Sequence, residues 1–509
     1  MLKKLPLGIQ TFKEIINENY LYVDKTKIAF DLITNNKYIF LSRPRRFGKS
    51  LFMDTIHTIY EGDKEYFKEL YIFDKWDWEV TCPVIKISFA GEFENKEVTK
   101  NIIKAILDKN KKRLALEFEN SDDISIYFNQ LIQETYEKYN QRVVILVDEY
   151  DKPILDNIEK IAIAKEIRET LKGLYTQIKD NDQYIKFAML TGVSKFSRVS
   201  LFSGLNNLKD ISLNKKFGDI CGYTQNDLET VFKSHLKDVD MTELKEWYNG
   251  YNFLGEKIYN PYDILQFIDN DKEFLNYWFK TGTPSFLIQL IKENKYFVPN
   301  MSHIKVSEEI IDSFDIEDLS LETVMFQAGY LTIKEVKHKR NRYYYLLDFP
   351  NQEVRLSFYD YLLQKFVDNN KVDISDTLYD MFEMANLDQL ENTIKRLFSS
   401  IAYNNFTNND IEKYEGFYAS IIYTYFASLG CELIAEDVTN KGRIDLTIKF
   451  QNKVYIFEFK VNKGDALEQI KEKKYYEKYL SPQNEVYIIG IVFDAKERNV
   501  TDFKYLAID

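Results

Sequence analysis

The chain has 509 residues, which is too many for one ordinary hydrophobic core and predicts several domains. An apolar content of 45% and a charged content of 29% exclude a disordered chain. The net charge of −12 excludes a protein coated in positive charge, so any nucleic-acid contact must come from a local basic region.

Strand-like and helix-like segments alternate in the first part of the chain. The apolar runs "KYIFLS", "PVIKISFA", "RVVILVDEY" and "IKFAMLTGV" predict buried strands, and amphipathic helical segments such as "KSLFMDTIHTIYEG" lie between them. This alternation is typical of a parallel sheet covered by helices on both faces. We therefore predict a first α/β domain over residues 1–222.

Helical periodicity dominates the middle region, which we place at residues 223–400. It is interrupted by "GYLTIKEVKHKRNRYYYLLDFPNQEVRLSF", a pattern that predicts a β-hairpin attached to helices. Two interpretations stay open for this stretch, a winged-helix-like element or a plain packing hairpin. Its aromatic run "RYYYLLDF" could likewise stack on bases or pack in a core.

The last segment, residues 401–509, returns to α/β order. A helix over "YEGFYASIIYTYFASLG" precedes the strands "RIDLTIKF" and "VYIFEFK", which are followed by a helix over "DALEQIKEKKYYEKYL" and the strand "EVYIIGIVF". We predict a compact α/β domain that is separate from the first.

A candidate phosphate-binding loop follows the first strand in "YIFLSRPRRFGKSLF". Gly48 permits close approach of the backbone to a phosphate, Lys49 supplies a positive charge, and Ser50 supplies a hydroxyl for Mg²⁺. The usual pattern opens with a second glycine, and this chain has Arg43 there. A basic turn at the start of a helix is the alternative interpretation.

A second half of the same site is predicted at the end of the strand "VVILV". Asp148 follows this strand and is suited to the Mg²⁺ shell, and Glu149 is suited to act as catalytic base for an attacking water. Thr191, at the end of the next predicted strand, is a candidate contact for the γ-phosphate. Acids and hydroxyls at strand ends also serve simply to satisfy backbone groups.

Two acids and a lysine stand out in the last domain. Asp445 is followed after thirteen residues by Glu458 and Lys460, and the latter two share one face of an apolar strand. A carboxylate and an ammonium group in such a strand are costly unless they are paired or bind a metal. Two carboxylates suit Mg²⁺ on a scissile phosphate, and a lysine suits the attacking water. A structural salt bridge is the alternative.

Taken together, "RPRRFGKS", "LVDEYDKP" and "SLFSGLNNLKDISL" make the chain resemble the bacterial AAA-ATPase-like proteins that carry a nuclease-like domain at the C-terminus. The resemblance covers most of the chain. It implies an N-terminal P-loop NTPase parallel sheet, a mainly helical middle region that acts as lid or sensor, and a C-terminal PD-(D/E)XK restriction-endonuclease-like α/β domain. In that family the arginine at the first-glycine position is itself part of the signature.

The resemblance also implies roles for individual residues. Contacts to ATP are implied for the loop and the strand ends, at Arg43, Arg45, Arg46, Phe47, Gly48, Lys49, Ser50, Leu51, Asp148 and Thr191. A metal shell formed by Glu415, Asp445 and Glu458 is implied for the last domain. A nucleic-acid-facing set is implied for Gln469, Lys473 and Tyr476. From residue 441 to 480 the chain has ten basic and six acidic side chains, which permits a local basic groove.

These observations predict an enzyme that binds and hydrolyses ATP and is coupled to a Mg²⁺-dependent nuclease, with DNA favoured over RNA as its partner. Two other functions stay open: a nucleotide-dependent switch whose last domain binds nucleic acid without cutting it, and a sensor that forms homo-oligomers on ATP. Three distant cysteines and the absence of an apolar run of about 18 residues favour a cytoplasmic protein that makes no membrane contact.

Overall fold

The computed structural model describes residues 2–195, 201, 207–279, 287, 290–291, 298–301, 303–312, 314–340, 342–366, 381–399, 401 and 415–508. At positions 299, 300, 312, 365, 366 and 415 only the backbone is described. The chain divides into two compact units, one formed by Met1–Phe286 with Lys305–Gln352, the other by Leu287–Ile304 with Glu353–Asp509. The predicted middle region, 223–400, is therefore shared between the two units.

The first unit alternates strands and helices as predicted. Its strands are β1 (Tyr38–Ser42), β2 (Val84–Ser88), β3 (Val143–Asp148), β4 (Ile185–Gly192), β5 (Lys209–Asp210), β6 (Asn249–Tyr251), β7 (Ile258–Tyr259), β8 (Ile304–Ser307), β9 (Thr332–Lys339) and β10 (Arg342–Asp348). Its helices are α1 (Phe12–Asn17), α2 (Thr26–Asn35), α3 (Lys49–Glu61), α4 (Lys96–Arg113), α5 (Ile124–Tyr139), α6 (Lys152–Leu155), α7 (Ile161–Asp180), α8 (Gln225–Thr230), α9 (Met241–Tyr248), α10 (Pro261–Asp269), α11 (Glu308–Asp312) and α12 (Leu321–Ala328).

The main sheet of the first unit is parallel and has the strand order β2-β3-β4-β1-β5. Strand β3 is buried along its whole length because α3 and α5 contact it, which explains its unbroken apolar run. Strands β1, β3 and β4 end at Ser42, Asp148 and Gly192, so their carboxyl ends meet at one edge of the sheet. Functional side chains in open α/β sheets gather at this edge.

A second, three-stranded sheet in the first unit contains the predicted hairpin. Strands β9 and β10 pair antiparallel, and β8 adds to β10, which gives the order β8-β10-β9. The sequence pattern did not predict β8. Along the chain this element runs as a strand, two helices and a hairpin.

The second unit contains a five-stranded mixed sheet of order β11-β12-β13-β14-β15. Its strands are β11 (Glu432–Thr439), β12 (Gly442–Phe450), β13 (Lys453–Val461), β14 (Glu485–Asp494) and β15 (Asn499–Ile508). Its helices are α13 (Gln352–Phe366), α14 (Leu387–Ser399), α15 (Glu415–Ser428) and α16 (Ala466–Lys473). Only β13 and β14 are parallel, and α16 lies in the connection between them. The predicted α/β fold class is confirmed, although the two edge strands were not predicted.

One predicted helix in the second unit is wrong in its length. The pattern "DALEQIKEKKYYEKYL" predicts one continuous helix, but α16 ends at Lys473 and a 3₁₀ turn follows over Tyr475–Tyr479. The break occurs because Lys474 has the left-handed backbone conformation, with φ of 51°. Gln469 and Tyr476 therefore do not share one helical face. None of the described helices is long and apolar enough to cross a bilayer.

Candidate functional sites

The loop between β1 and α3 has the backbone of a phosphate cradle. Gly48 precedes the first residue of α3 and has φ of 95°, which favours glycine. No atom would lie within 4 Å of a Cβ built at Gly48, so the glycine is required for the conformation and not for space. The first N–H groups of α3 have no partner within the helix, and this helix end suits an anion.

Lys49 turns back over this loop. Its ammonium group donates to the carbonyl oxygens of Arg43 and Pro44, at 2.9 and 3.0 Å, and the residue is 7% exposed. Burial lowers the pKa of Lys49, and the charge of Asp148 opposes that shift. The loop thus holds a poorly solvated cation at the start of a helix.

A cavity of about 540 Å³ opens beside the loop. Most of the predicted loop contacts line it, namely Arg45, Arg46, Gly48, Lys49, Ser50 and Leu51. Glu149 also lines it, and so do Asp151 and Lys152 of the segment "LVDEYDKP". Residues that no motif indicated complete the lining: Pro6, Gly8, Ile9, Gln10, Leu155, Asp156, Val193, Tyr223, Pro261, Tyr262 and Leu265. These unpredicted residues come from several distant segments, and no local pattern could have grouped them.

Arg43 does not point towards this cavity, and its predicted contact with the triphosphate is wrong. Its guanidinium donates to the carbonyl oxygens of Ser42, Ser212 and Phe217, at 2.9, 2.7 and 3.0 Å. It also lies 3.9 Å from the ring centre of Phe253 and is 1% exposed. Burial lowers the pKa of Arg43 to about 10. The arginine ties the loop to the segment after β5 and does not meet the ligand.

Replacing Arg43 with glycine would restore the usual loop pattern, yet we expect it to destabilise the protein. The change removes several hydrogen bonds from a charged donor, so unfolding free energy should fall by about 2–4 kcal/mol. The urea midpoint measures this loss. Arg45→Gly is the matched control, because Arg45 is exposed and two residues away. Equal midpoints for the two variants would contradict the anchoring role.

Phe47 is also directed away from the cavity. Its ring packs edge-on against Tyr251 and Phe253, with centroid distances of 4.8 and 6.0 Å, and the residue is buried. The Phe47 side chain therefore does not line the cavity, and the predicted nucleotide contact of this residue stays a prediction. Any such contact from this residue would have to come from its backbone.

Asp148 and Thr191 meet behind the cavity wall. The Thr191 hydroxyl donates to Asp148 Oδ1 at 2.6 Å, and the Glu149 amide donates to the same oxygen at 3.0 Å. Thr191 is fully buried. Its hydroxyl orients the Asp148 carboxylate and does not face the cavity. The structure thus brings Asp148 and Thr191 together through a hydrogen bond between their side chains.

Glu149 is exposed and lies in the cavity wall with a left-handed backbone, φ 54°. Such a conformation costs about 1–3 kcal/mol outside glycine and is concentrated at functional sites. Partial desolvation and the neighbouring Asp148 charge raise the pKa of Glu149. A carboxylate with a raised pKa is a better proton acceptor near neutral pH.

Asp151 is a buried acid of this site that the sequence interpretation missed. Its Oδ2 accepts from the amides of Val193 and Ser194, at 3.0 and 2.5 Å, and burial raises its pKa. A Cβ at Gly192 would lie 2.5 Å from Asp151 Oδ1, so glycine is required there. The signal was present, because "VDEYDKP" contains this third acid.

In the second unit, β12 and β13 bring the predicted acids next to each other. Leu446 pairs with Phe457, so Asp445 and Glu458 are adjacent in register. Asp445 Oδ2 accepts from the Phe459 amide at 2.8 Å. Glu458 is 1% exposed, and its Oε1 accepts from Lys460 at 3.2 Å and from the Gln469 amide. Glu458, Lys460 and Gln469 thus form one cluster.

Gly490 explains how this cluster closes. It pairs with Glu458 across β13 and β14, and a Cβ there would lie 2.3 Å from the Leu467 amide nitrogen. Only glycine lets the first turn of α16 lie directly on the sheet, where Gln469 reaches Glu458. A lone glycine inside the apolar strand "EVYIIGIVF" was the available sequence signal.

The other residues predicted for this site, Glu415, Lys473 and Tyr476, are not shown in contact with Glu458. Tyr476 packs beside the buried cluster of Ile456, Ile470 and Tyr479, whereas Lys473 is exposed. The side chain of Glu415, the first residue of α15, lies outside the described residues. Among the residues that the structure describes, no three acidic, histidine or cysteine side chains form a group able to hold a metal ion. Asp445 and Glu458 are the oxygen donors available for one.

Comparisons with known proteins assign a family to the domain that carries each candidate site. Residues 6–202 match a family model described as predicted AAA-ATPase, and residues 413–503 match one described as PD-(D/E)XK nuclease superfamily. A protein of Azotobacter chroococcum mcd 1, described as an uncharacterized protein in the vnfD 5′ region, is 43% identical over 509 residues, which cover 98% of each chain. The chain belongs to the family of predicted AAA-ATPases that carry a C-terminal domain of the PD-(D/E)XK nuclease superfamily.

Proposed function

We propose that the first unit binds and hydrolyses ATP and that this activity is coupled to cleavage of nucleic acid, preferably DNA, by the second unit. The observation that carries the proposal is the cavity into which Lys49, Ser50 and Glu149 all project from the carboxyl edge of the sheet. Its volume of about 540 Å³ lies within the range of about 300–1,000 Å³ usual for small-ligand pockets.

The lining of the cavity suits both parts of a nucleotide. The loop and the start of α3 offer N–H groups and a lysine to phosphates. The lining also includes the apolar and aromatic residues Ile9, Tyr223, Tyr262 and Leu265, which suit a planar base. Ser50 and Asp148 would hold Mg²⁺, which when bound neutralises charge on the phosphate oxygens.

Glu149→Gln should separate nucleotide binding from hydrolysis. The amide cannot accept the proton of the attacking water, so turnover should fall by about 100-fold or more while ATP still binds. Because the pKa of Glu149 is raised, its carboxylate becomes protonated at a higher pH than that of an ordinary glutamate. On acidification, wild-type hydrolysis should therefore begin to decline at that higher pH. Phosphate release as a function of pH and ATP-induced thermal stabilisation measure the two effects. Unchanged turnover would assign the base elsewhere.

The second unit supports phosphodiester hydrolysis through Asp445, Glu458 and Lys460. The two carboxylates would hold Mg²⁺, which polarises the scissile phosphate. Lys460 donates to Glu458 and would position the attacking water or help to deprotonate it. Gln469 fixes the Glu458 carboxylate through its amide.

A second candidate function is favoured by the same contacts. Because Glu458 Oε1 already accepts from Lys460 and Gln469, the cluster also has the contacts of a structural ion pair, and the second unit could bind nucleic acid without cutting it. The protein would then act as a nucleotide-dependent switch or as a homo-oligomer that forms on ATP. Size measurement with a non-hydrolysable ATP analogue tests the oligomer. The free thiols of Cys82, Cys221 and Cys431 support a cytoplasmic location in either case.

Purified protein incubated with supercoiled plasmid tests the proposal. We expect nicking that requires Mg²⁺, is abolished by chelation and changes rate on addition of ATP. ATP hydrolysis without nicking, under conditions where the plasmid is bound, would favour the switch over the nuclease.

A further inference from the structure

A strongly basic surface lies on the hairpin of β9 and β10, far along the chain from the residues of the two sites. We call residues 332–340 and 342–348 the basic hairpin. Between positions 337 and 342 it carries Lys337, Lys339, Arg340 and Arg342 and no acid, in a chain of net charge −12. All four side chains are exposed. This density of positive charge needs an explanation.

Strand register places Lys337, Lys339 and Arg342 on one face, and Arg340 lies in the turn that follows Lys339. Lys339 lies directly opposite Arg342, and Lys337 lies opposite Tyr344, two positions along the same face. Like charges directly opposite each other destabilise a hairpin. Lys337 has an acidic neighbour in Glu335, at 3.2 Å. Within the described residues, Lys339, Arg340 and Arg342 form no ion pair. An anionic partner outside the chain would relieve this repulsion.

Aromatic side chains accompany the cations. The ammonium group of Lys305, on β8, lies 4.4 Å from the ring centre of Tyr344, which adds a further cation beside the basic face. On the opposite face of the hairpin, Tyr343 packs at a tilt against His338, with ring centroids 4.8 Å apart, and is 51% exposed. Exposed cations interleaved with aromatic rings are typical of surfaces that contact nucleic acid.

Helix α12, which precedes the hairpin, is not exposed for contact with DNA. The order β8, α11, α12, β9, β10 is that of a winged helix, in which the second helix commonly enters the major groove. Here α12 is buried, and a Cβ at Gly329, just after it, would lie 2.7 Å from Pro44 of the phosphate loop. The Gln327 side chain on α12 also accepts from the Lys195 amide. The hairpin is thus the exposed element of this module.

We infer that the basic hairpin binds the phosphate backbone of double-stranded DNA. A two-stranded ribbon fits the major groove of B-form DNA, which is about 12 Å wide, whereas the major groove of A-form RNA is too narrow. Its base is anchored, because Lys334 donates to the Pro350 carbonyl and the Asn252 amide donates to Thr332. The inference takes DNA as partner from the proposed function but does not require cleavage.

The test measures binding alone. Fluorescence anisotropy of a labelled duplex of about 20 base pairs, two helical turns, is recorded in EDTA at several salt concentrations. The variant Lys339→Ala/Arg340→Ala/Arg342→Ala should bind about 10-fold or more weakly. Its log–log salt slope should be shallower by about 2–3, since each lost phosphate contact removes about 0.9. All three side chains are exposed and two of them repel each other, so the melting temperature should not fall.

Two controls make the result specific. Lys68→Ala/Lys109→Ala/Lys112→Ala removes the same charge from exposed positions of the same unit and should leave affinity near the wild-type value. Lys339→Arg/Arg340→Lys/Arg342→Lys keeps the charge and should retain binding. Equal losses in both alanine variants, or no duplex binding by the wild type, would overturn the inference. The inference would also be overturned if the first alanine variant lost the same factor of affinity for single-stranded DNA, duplex RNA or polyglutamate. The anisotropy measurement does not depend on cleavage, so its result would stand even if the second unit proved not to be a nuclease.

Discussion

Replacing Lys49 with alanine is expected to abolish ATP hydrolysis and ATP-induced stabilisation. The Lys49 ammonium is a buried cation of the loop and donates to the carbonyl oxygens of Arg43 and Pro44. When ATP binds, a phosphate oxygen would replace these carbonyls as its partner. Loss of one such preorganised donor commonly costs about 100- to 1,000-fold in rate. Phosphate release and the shift in melting temperature on adding MgATP measure the two effects.

The unliganded fold should survive this change. Lys49→Met fills the same space without the charge and should show the same loss of activity, so a packing defect can be separated from a lost phosphate contact. Lys109→Ala, at an exposed position of the same unit, should behave like the wild type. Hydrolysis retained in both Lys49 variants would remove the loop from the nucleotide site.

Glu458→Gln is expected to abolish Mg²⁺-dependent nicking and to leave ATP hydrolysis intact. The substitution keeps the size of the side chain and an oxygen that can accept from Lys460, but it removes a buried carboxylate charge at the centre of the cluster. A metal site that loses one of its two carboxylates should lose at least about 100-fold in cleavage rate. Nicked plasmid is quantified against protein concentration and Mg²⁺ concentration.

Glu485→Gln makes the same chemical change on the same sheet, at the exposed start of β14, and should not affect nicking. Melting temperature and ATPase rate verify that each variant is folded. Undiminished nicking by Glu458→Gln, with the metal dependence of the wild type, would show that Asp445 and Glu458 are a structural pair.

Much of the architecture could be predicted from local pattern. Five consecutive apolar residues followed by Asp148 and Glu149 indicated a central buried strand with acids at its end, since burial on both faces demands such a run. The two-residue spacing of Glu458 and Lys460 likewise indicated that both lie on one face of an apolar strand. These predictions depend on neighbours in sequence, and periodicity reports on those directly.

Other features were decided only by tertiary packing. Arg43 faces inward because carbonyls of Ser212 and Phe217, about 170 residues away, lie where its guanidinium ends. The cavity wall combines the N-terminal segment with Tyr223, just before α8, and with residues of α10, and Gly490 sets the approach of α16 to Glu458. Residue type and spacing therefore identified the chemistry and the strands, whereas the direction of each polar side chain was settled by partners distant in sequence. Those partners satisfy buried hydrogen-bonding groups, and no local pattern specifies them.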